Sequence, residues 1–312
     1  MKRKVIAMVL ISFMVTLLPL QALALKPEGI EPPLTANPVN YLNLGDSIAY
    51  GMSAEKGQSY FDLYSAYKQV GASVDLSVPG ATTGDLLDAL ETNQYQNAVK
   101  RADVVIISIG GNNLLKPIQS RVAEILGVTD LTDTTAVQES IQDLTDELSE
   151  IYYPVPVTEQ DALDWLAAEL ITEAGTPLTP LNTALVQGTV AFGLDMVDLF
   201  SDIRGLHPDA TIIFLNLYNP FEYAESPELY GLYESIAGPM NLLLNSFNVP
   251  AAGSFVADIY TAFQPVPEAV DFSLALDTVN LDIHPTTAGH SIIFDELTAL
   301  DIVDEFQPPK AK

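Results

Sequence analysis

Three short segments and one histidine of this chain carry residue types suited to nucleophilic chemistry. Gly45-Asp46-Ser47 presents a serine hydroxyl directly after an apolar run. A sharp strand-to-helix turn there would lift the hydroxyl to the carboxyl edge of a sheet and aim the backbone N–H groups of the helix start at a developing oxyanion. The same three residues also make a plain turn with an N-cap serine. Val78-Pro79-Gly80-Ala81-Thr82 places a glycine where backbone can approach a bound molecule and offer its N–H, or simply where the chain turns. Ile109-Gly110-Gly111-Asn112-Asn113 places a side-chain amide that can donate to an oxyanion, within a loop rich in turn formers. A serine nucleophile needs a base, and the chain has 3 histidines. His207 precedes a strand pattern, which puts it at the amino edge, away from Ser47. His290 falls inside a helical pattern and reads as a packing or surface residue. His284, in Asn280-Leu281-Asp282-Ile283-His284-Pro285-Thr286, stands just before the last helix and remains as the candidate base.

These residues need a scaffold that brings strand ends together. After residue 38, short β-branched runs alternate with helical patterns, which argues for a parallel α/β sheet. The strand candidates are 39–44, 74–78 (closed by Pro79-Gly80), 104–109, 211–217 and 255–259. The third, Val104-Val105-Ile106-Ile107-Ser108-Ile109, is apolar almost throughout, as a central strand buried on both faces should be. Helical patterns cover 85–99, 185–203 and 287–300. In such sheets, ligands bind at the carboxyl ends of the strands, where Ser47, Gly80 and Asn112 all fall. Residues 114–183 read as a helical insertion, with amphipathic stretches at 137–151 and 161–171 and breaks at Pro154/Pro156 and Pro177/Pro180. Its apolar residues either wall an acyl pocket or pack the insertion on the core, and a separate small domain is the less favoured arrangement.

Composition narrows the partners. The net charge is −28, from 13 basic and 41 acidic residues, which argues against nucleic acid and against anionic membrane surfaces. There is no cysteine, hence no disulfide framework and no thiol nucleophile. No H-E-x-x-H, histidine pair, P-loop or G-x-G-x-x-G occurs, so neither a metal nor a nucleotide cofactor is expected. Residues 1–24 read as an export signal: Lys2, Arg3 and Lys4, an apolar stretch from Val5 to Leu20, then Ala22-Leu23-Ala24. An uncleaved anchor is the competing reading. No later segment is long and apolar enough to suggest stable membrane insertion, so a secreted, extracellular protein is expected.

The four motifs together resemble those of the SGNH hydrolases, the GDSL-type lipases and esterases, in particular secreted bacterial ones. Gly45-Asp46-Ser47-Ile48-Ala49-Tyr50-Gly51 resembles their first block and Gly80 their second. Gly110-Gly111-Asn112-Asn113 resembles the third, and His284-Pro285-Thr286 with Ala288-Gly289-His290 the fifth. The resemblance spans about residues 39–300 and implies a three-layer α/β/α fold with a mainly parallel, flavodoxin-like sheet of five strands. It implies Ser47 as nucleophile, His284 as general base, and an oxyanion hole made by the N–H groups of Ser47 and Gly80 with the Asn112 side chain. Asp46 would organise the turn.

Two departures stand out. The third block usually ends in Asp, where this chain has Asn113, which bears on a supporting hydrogen bond rather than on the oxyanion donor. The family's orienting Asp usually stands three residues before the histidine, where this chain has Leu281. Asp282, two before, takes that place if the loop bends, or a backbone carbonyl orients the ring instead. The implied activity is hydrolysis of carboxylic esters, lipid-like or of short-to-medium acyl length. A carbohydrate O-acetyl esterase of the same superfamily and a non-catalytic secreted binding protein are the competing functions. The expected organisation is a signal (1–24), a Pro-rich arm (25–38), one domain (39–303) with the insertion at about 114–183, and a C-terminal tail (304–312).

Overall fold

The computed structural model describes residues 39–68, 72–131, 133–220, 227–264, 266, 269–270 and 284–300. The signal, the arm, the tail and Asp282 lie outside the described residues. Five strands form one sheet: β1 Asn40–Gly45, β2 Ala72–Asp75, β3 Val104–Ser108, β4 Thr211–Leu215 and β5 Ser254–Ala257. Their order is β2-β1-β3-β4-β5 and every pairing is parallel. This is the expected flavodoxin-like arrangement, flanked by helices on both faces.

The sequence accounts for the layering. Side chains alternate across each strand. Leu42, Leu44, Val105, Ile107, Ile212 and Phe214 join the core on one face, while Tyr41, Val104, Ile106, Ile213 and Leu215 join the core on the other. β3 and β4 are buried at all five positions each, which is why their residues, Ser108 apart, are β-branched or apolar without alternation.

Helices α1 Ser47–Tyr50 and α2 Tyr60–Lys68 follow β1, and α3 Thr83–Leu90 and α4 Asn93–Val99 follow β2. The expected single helix over 85–99 is thus two. The chain breaks at Glu91-Thr92, where the Thr92 hydroxyl donates to the Ala89 carbonyl (2.7 Å) and competes with helix continuation. The second strand begins two residues earlier than expected and ends at Asp75. There the carboxylate accepts from the Ser77 N–H and hydroxyl, an Asp-centred turn that kinks this exposed edge strand. Pairing with β1 nevertheless runs on, through Leu76 N–H to Asn43 O and Val78 N–H to Gly45 O.

The insertion is helical as expected. α5 Gly111–Leu126, α6 Thr134–Ile151 and α7 Glu159–Gly175 lead into α8 Pro180–Leu206, a single 27-residue helix that reaches back to the sheet. Val137, Ile141, Leu163, Leu166 and Leu170 are buried in the same cluster as Val105 and Ile107, so these apolar residues pack the insertion on the core. Helices α9 Pro227–Ser246, α10 Ile259–Phe263 and α11 Thr287–Ala299 complete the described chain.

Candidate active site

Ser47 is the first residue of α1, one turn long, at the carboxyl end of β1. The turn is built by close approach. Gly45 has φ +142°, and a Cβ there would lie 1.9 Å from the Ser108 carbonyl oxygen, so only glycine lets β1 end against β3. Asp46 N–H then donates to that same carbonyl (3.1 Å). The Asp46 side chain caps α1 by accepting from Ile48 N–H at 3.0 Å, which is the turn-organising role expected of it. Asp46 is buried, and burial pushes its carboxyl up to about 6, against the lowering pull of the Ile48 N–H and the nearby His284.

His284 arrives from the opposite end of the sheet, after β5. Its Nε2 lies 2.8 Å from Ser47 Oγ, a hydrogen bond across 237 residues of sequence. The segment is clamped on both sides. Pro285 pairs with Val270, and Thr286 N–H donates to Ala269 O at 3.0 Å while its hydroxyl caps α11 on Gly289 N–H. Thr287 Oγ1 accepts from Glu55 N–H (2.9 Å), tying α11 to the loop that follows Ser47.

The order β2-β1-β3 sets the segments bearing Gly80, Ser47 and Asn112 side by side at one sheet edge. Gly80 has φ +81°, a conformation that favours glycine, and its N–H makes no hydrogen bond among the described residues. Asn112 Nδ2 donates one hydrogen to Ala81 O at 3.0 Å, which holds the amide beside Gly80 and leaves the second hydrogen for another acceptor. Asn113 makes the supporting contact expected of it. Its Oδ1 accepts from Thr83 N–H (3.1 Å) and its Nδ2 donates to Thr83 Oγ1 (2.9 Å). The Thr83 hydroxyl in turn donates to Asp195 Oδ2 at 2.6 Å. The carboxylate of this network therefore comes from α8, and an amide at 113 supplies the donor that a carboxylate would lack.

The structure separates the other histidines as expected. His207 Nδ1 lies 2.9 Å from Ala102 O, at the amino edge. His290 is fully buried: its Nδ1 accepts from Tyr60 N–H (3.3 Å), so its Nε2 carries the proton donated to Met52 O (3.2 Å). Burial pushes this imidazole down to about 4, which keeps it neutral and makes it a strut between α11 and the segment after Ser47. Asn43 is a further supporting residue that motif reading misses. Buried in β1, it donates to Ala49 O (2.8 Å) and accepts from Tyr60 OH (2.8 Å), pinning α1 from below. The only signal for it in the sequence is an amide inside an apolar strand run.

A cavity of about 250 Å³ adjoins Gly80, lined mainly by apolar residues including Leu76, Val78, Ala81, Leu86 and Tyr95. The insertion contributes no lining residue to it. Among the described residues, no group of three or more His, Asp or Glu is placed to hold a metal ion. The arrangement offers a hydroxyl on a histidine nitrogen, backbone N–H groups and a spare amide hydrogen at one strand edge. These are the parts that acyl transfer through a serine requires.

Residues 44–292 match the GDSL-like Lipase/Acylhydrolase family. Over 89 residues the chain is 33% identical to the uncharacterized protein YpmR of Bacillus subtilis strain 168, covering 26% of this chain and 34% of that protein. The match thus spans about a third of that relative's length. Among solved structures, the fold resembles the lipase Lip_vut3 from a goat rumen metagenome, with TM-score 0.52 and 19% identity over 84% of this chain and 96% of that one. It also resembles phospholipase A1 of Streptomyces albidoflavus NA297, with TM-score 0.50 and 16% identity over 84% and 99%.

Proposed function

We propose that this chain, which belongs to the GDSL-like lipase/acylhydrolase family, is a secreted ester hydrolase that cleaves carboxylic esters through an acyl-enzyme on Ser47. The observation that carries this reading is the 2.8 Å contact between Ser47 Oγ and His284 Nε2 at the carboxyl edge of the sheet.

In this mechanism Ser47 Oγ attacks the ester carbonyl carbon while His284 Nε2 takes the hydroxyl proton. The carbonyl oxygen becomes an oxyanion that accepts from the N–H groups of Ser47 and Gly80 and from the Asn112 amide. Collapse breaks the C–O bond to the leaving alkoxide, which takes the proton from His284. Water, deprotonated by His284, then attacks the acyl carbon; collapse breaks the bond to Ser47 Oγ, which takes that proton back from His284, and the carboxylic acid leaves. Asp282 is assigned the orienting role on the imidazole. The apolar cavity beside Gly80 is assigned the acyl chain, because Gly80 both lines it and offers its N–H. Residues 1–24 direct export and are then removed, a reading supported by their basic, apolar and small-residue pattern.

The test is hydrolysis of p-nitrophenyl esters from acetate to palmitate, with Ser47→Ala beside the wild type. Activity that the alanine variant loses almost entirely supports the proposal. A folded wild type inert on every ester defeats it. Filling the cavity with Ala89→Phe should shift the profile toward shorter acyl chains, and an unchanged profile removes the cavity from the account.

A further inference from the structure

The turn between α6 and α7 exposes a run of consecutive apolar residues. Ile151-Tyr152-Tyr153-Pro154-Val155-Pro156-Val157 is a run of seven residues without a charge or an amide side chain. Six of the seven are exposed, with Ile151 at 64%, Tyr152 at 53%, Tyr153 at 84% and Val155 at 63%. Consecutive exposed apolar residues on this scale have no role in folding and mark an interaction surface. Two prolines stiffen the loop, so little conformational entropy is lost when it docks.

Its surroundings narrow the occupant. From 122 to 203 the chain contains no Lys, Arg or His, against sixteen Asp and Glu. Exposed Glu147, Glu150 and Glu159 flank the loop. Anionic lipid and nucleic acid are therefore repelled, and a second copy would bring the same acidic rim against this one. A surface that is apolar beneath and carries cationic groups on top fits best. Tyrosine seats at such interfaces, with its ring toward the acyl chains and its hydroxyl toward water. A quaternary ammonium is attracted both by the faces of tyrosine rings and by flanking carboxylates. We propose that the 151–157 loop docks the protein reversibly on zwitterionic, choline-bearing lipid surfaces. This docking goes beyond the hydrolytic reading and stands apart from it, since none of these residues belongs to the site.

The test is co-flotation of the purified full chain with phosphatidylcholine vesicles and, separately, phosphatidylglycerol vesicles. It compares wild type with Tyr152→Ser/Tyr153→Ser/Val155→Ser, the two chains having identical N-termini. Wild type should float with phosphatidylcholine in preference to phosphatidylglycerol, and the triple variant should bind about tenfold more weakly or worse. Thermal melting establishes that the variant is folded. A second reporter is Tyr153→Trp, read against the chain's single tryptophan, the partly buried Trp165. Its emission should shift to the blue on phosphatidylcholine vesicles. Equal flotation of wild type and triple variant with an unshifted reporter overturns the proposal. So does a wild-type dimer, seen by light scattering, that the triple variant dissociates, because the loop would then be a contact between copies.

Discussion

At the level of single residues, the two neighbouring asparagines have distinct partners. Asn112 shares its amide between Ala81 O and, by the proposed mechanism, the oxyanion. Asn112→Ala should lower kcat by about a hundred- to a thousand-fold with a small change in KM, measured on a soluble p-nitrophenyl ester. Asn113 instead works through Thr83. Although the family pattern has Asp there, Asn113→Asp removes the donor to Thr83 Oγ1 and brings a second carboxylate into a network that already ends on Asp195. It should destabilise the fold by about 1–3 kcal/mol in urea titration. Neutral stability would mean that the network rearranges freely. His284 and Asn112 were legible from motif order. Asp195 was not, because its bond to Thr83 spans 112 residues and nothing local marks it. Asn43 was equally silent, an amide whose two partners become neighbours only after β1, α1 and α2 have packed.

At the scale of elements, α11 must hold His284 against α1, and His290 is the strut. Its folded pKa, about 4, lies below the 6.5 of an unperturbed histidine. The folded state therefore binds fewer protons than the unfolded state between those values. The stabilisation is complete above about pH 6.5 and is lost as pH falls toward 4, by on the order of 3 kcal/mol. Asp46, raised to about 6, works the other way and gains stability over the lower part of that window. His290→Gln should remove the first contribution alone, so its urea midpoint should fall less than that of wild type between pH 7 and pH 4.5. Parallel midpoints in the two proteins would contradict the assignment.

The insertion has its own clasp. Glu173 is buried, and although burial opposes its ionisation, the Arg121 guanidinium and the Leu181 N–H hold its carboxyl below the usual value. Arg121 Nε reaches it at 2.7 Å, joining α5, α7 and the start of α8. Glu173→Ala should cost about 1–3 kcal/mol of stability while leaving the Ser47–His284 contact in place. Activity should then survive below the melting transition. Element boundaries were legible where a single physical cause dominates, as in β3, which is apolar because it is central. They were displaced where side chains compete with the backbone, at Asp75–Ser77 and at Thr92.

At the scale of the molecule, the parallel sheet and its helical layers follow from the alternation of short apolar runs with helical patterns, whereas the strand order β2-β1-β3-β4-β5 was implied only by the resemblance to the SGNH hydrolases. The charge, −28, is spread over a fold without disulfides, and its self-repulsion opposes compactness. Raising salt from about 10 mM to about 150 mM shortens the Debye length from roughly 30 Å to 8 Å, and the melting temperature should rise with it. A melting temperature independent of salt would mean that the acidic residues lie too far apart to act together.

The proposed mechanism stands on Ser47 being a nucleophile activated by His284. The most direct measurement is intact-mass and peptide mass spectrometry after treatment with a fluorophosphonate ester, beside His284→Ala and Ser47→Ala. One adduct per wild-type chain is expected, located on Ser47, with much slower labelling of His284→Ala and none of Ser47→Ala. A folded wild-type protein that stays unlabelled, or an adduct on another serine, would contradict it.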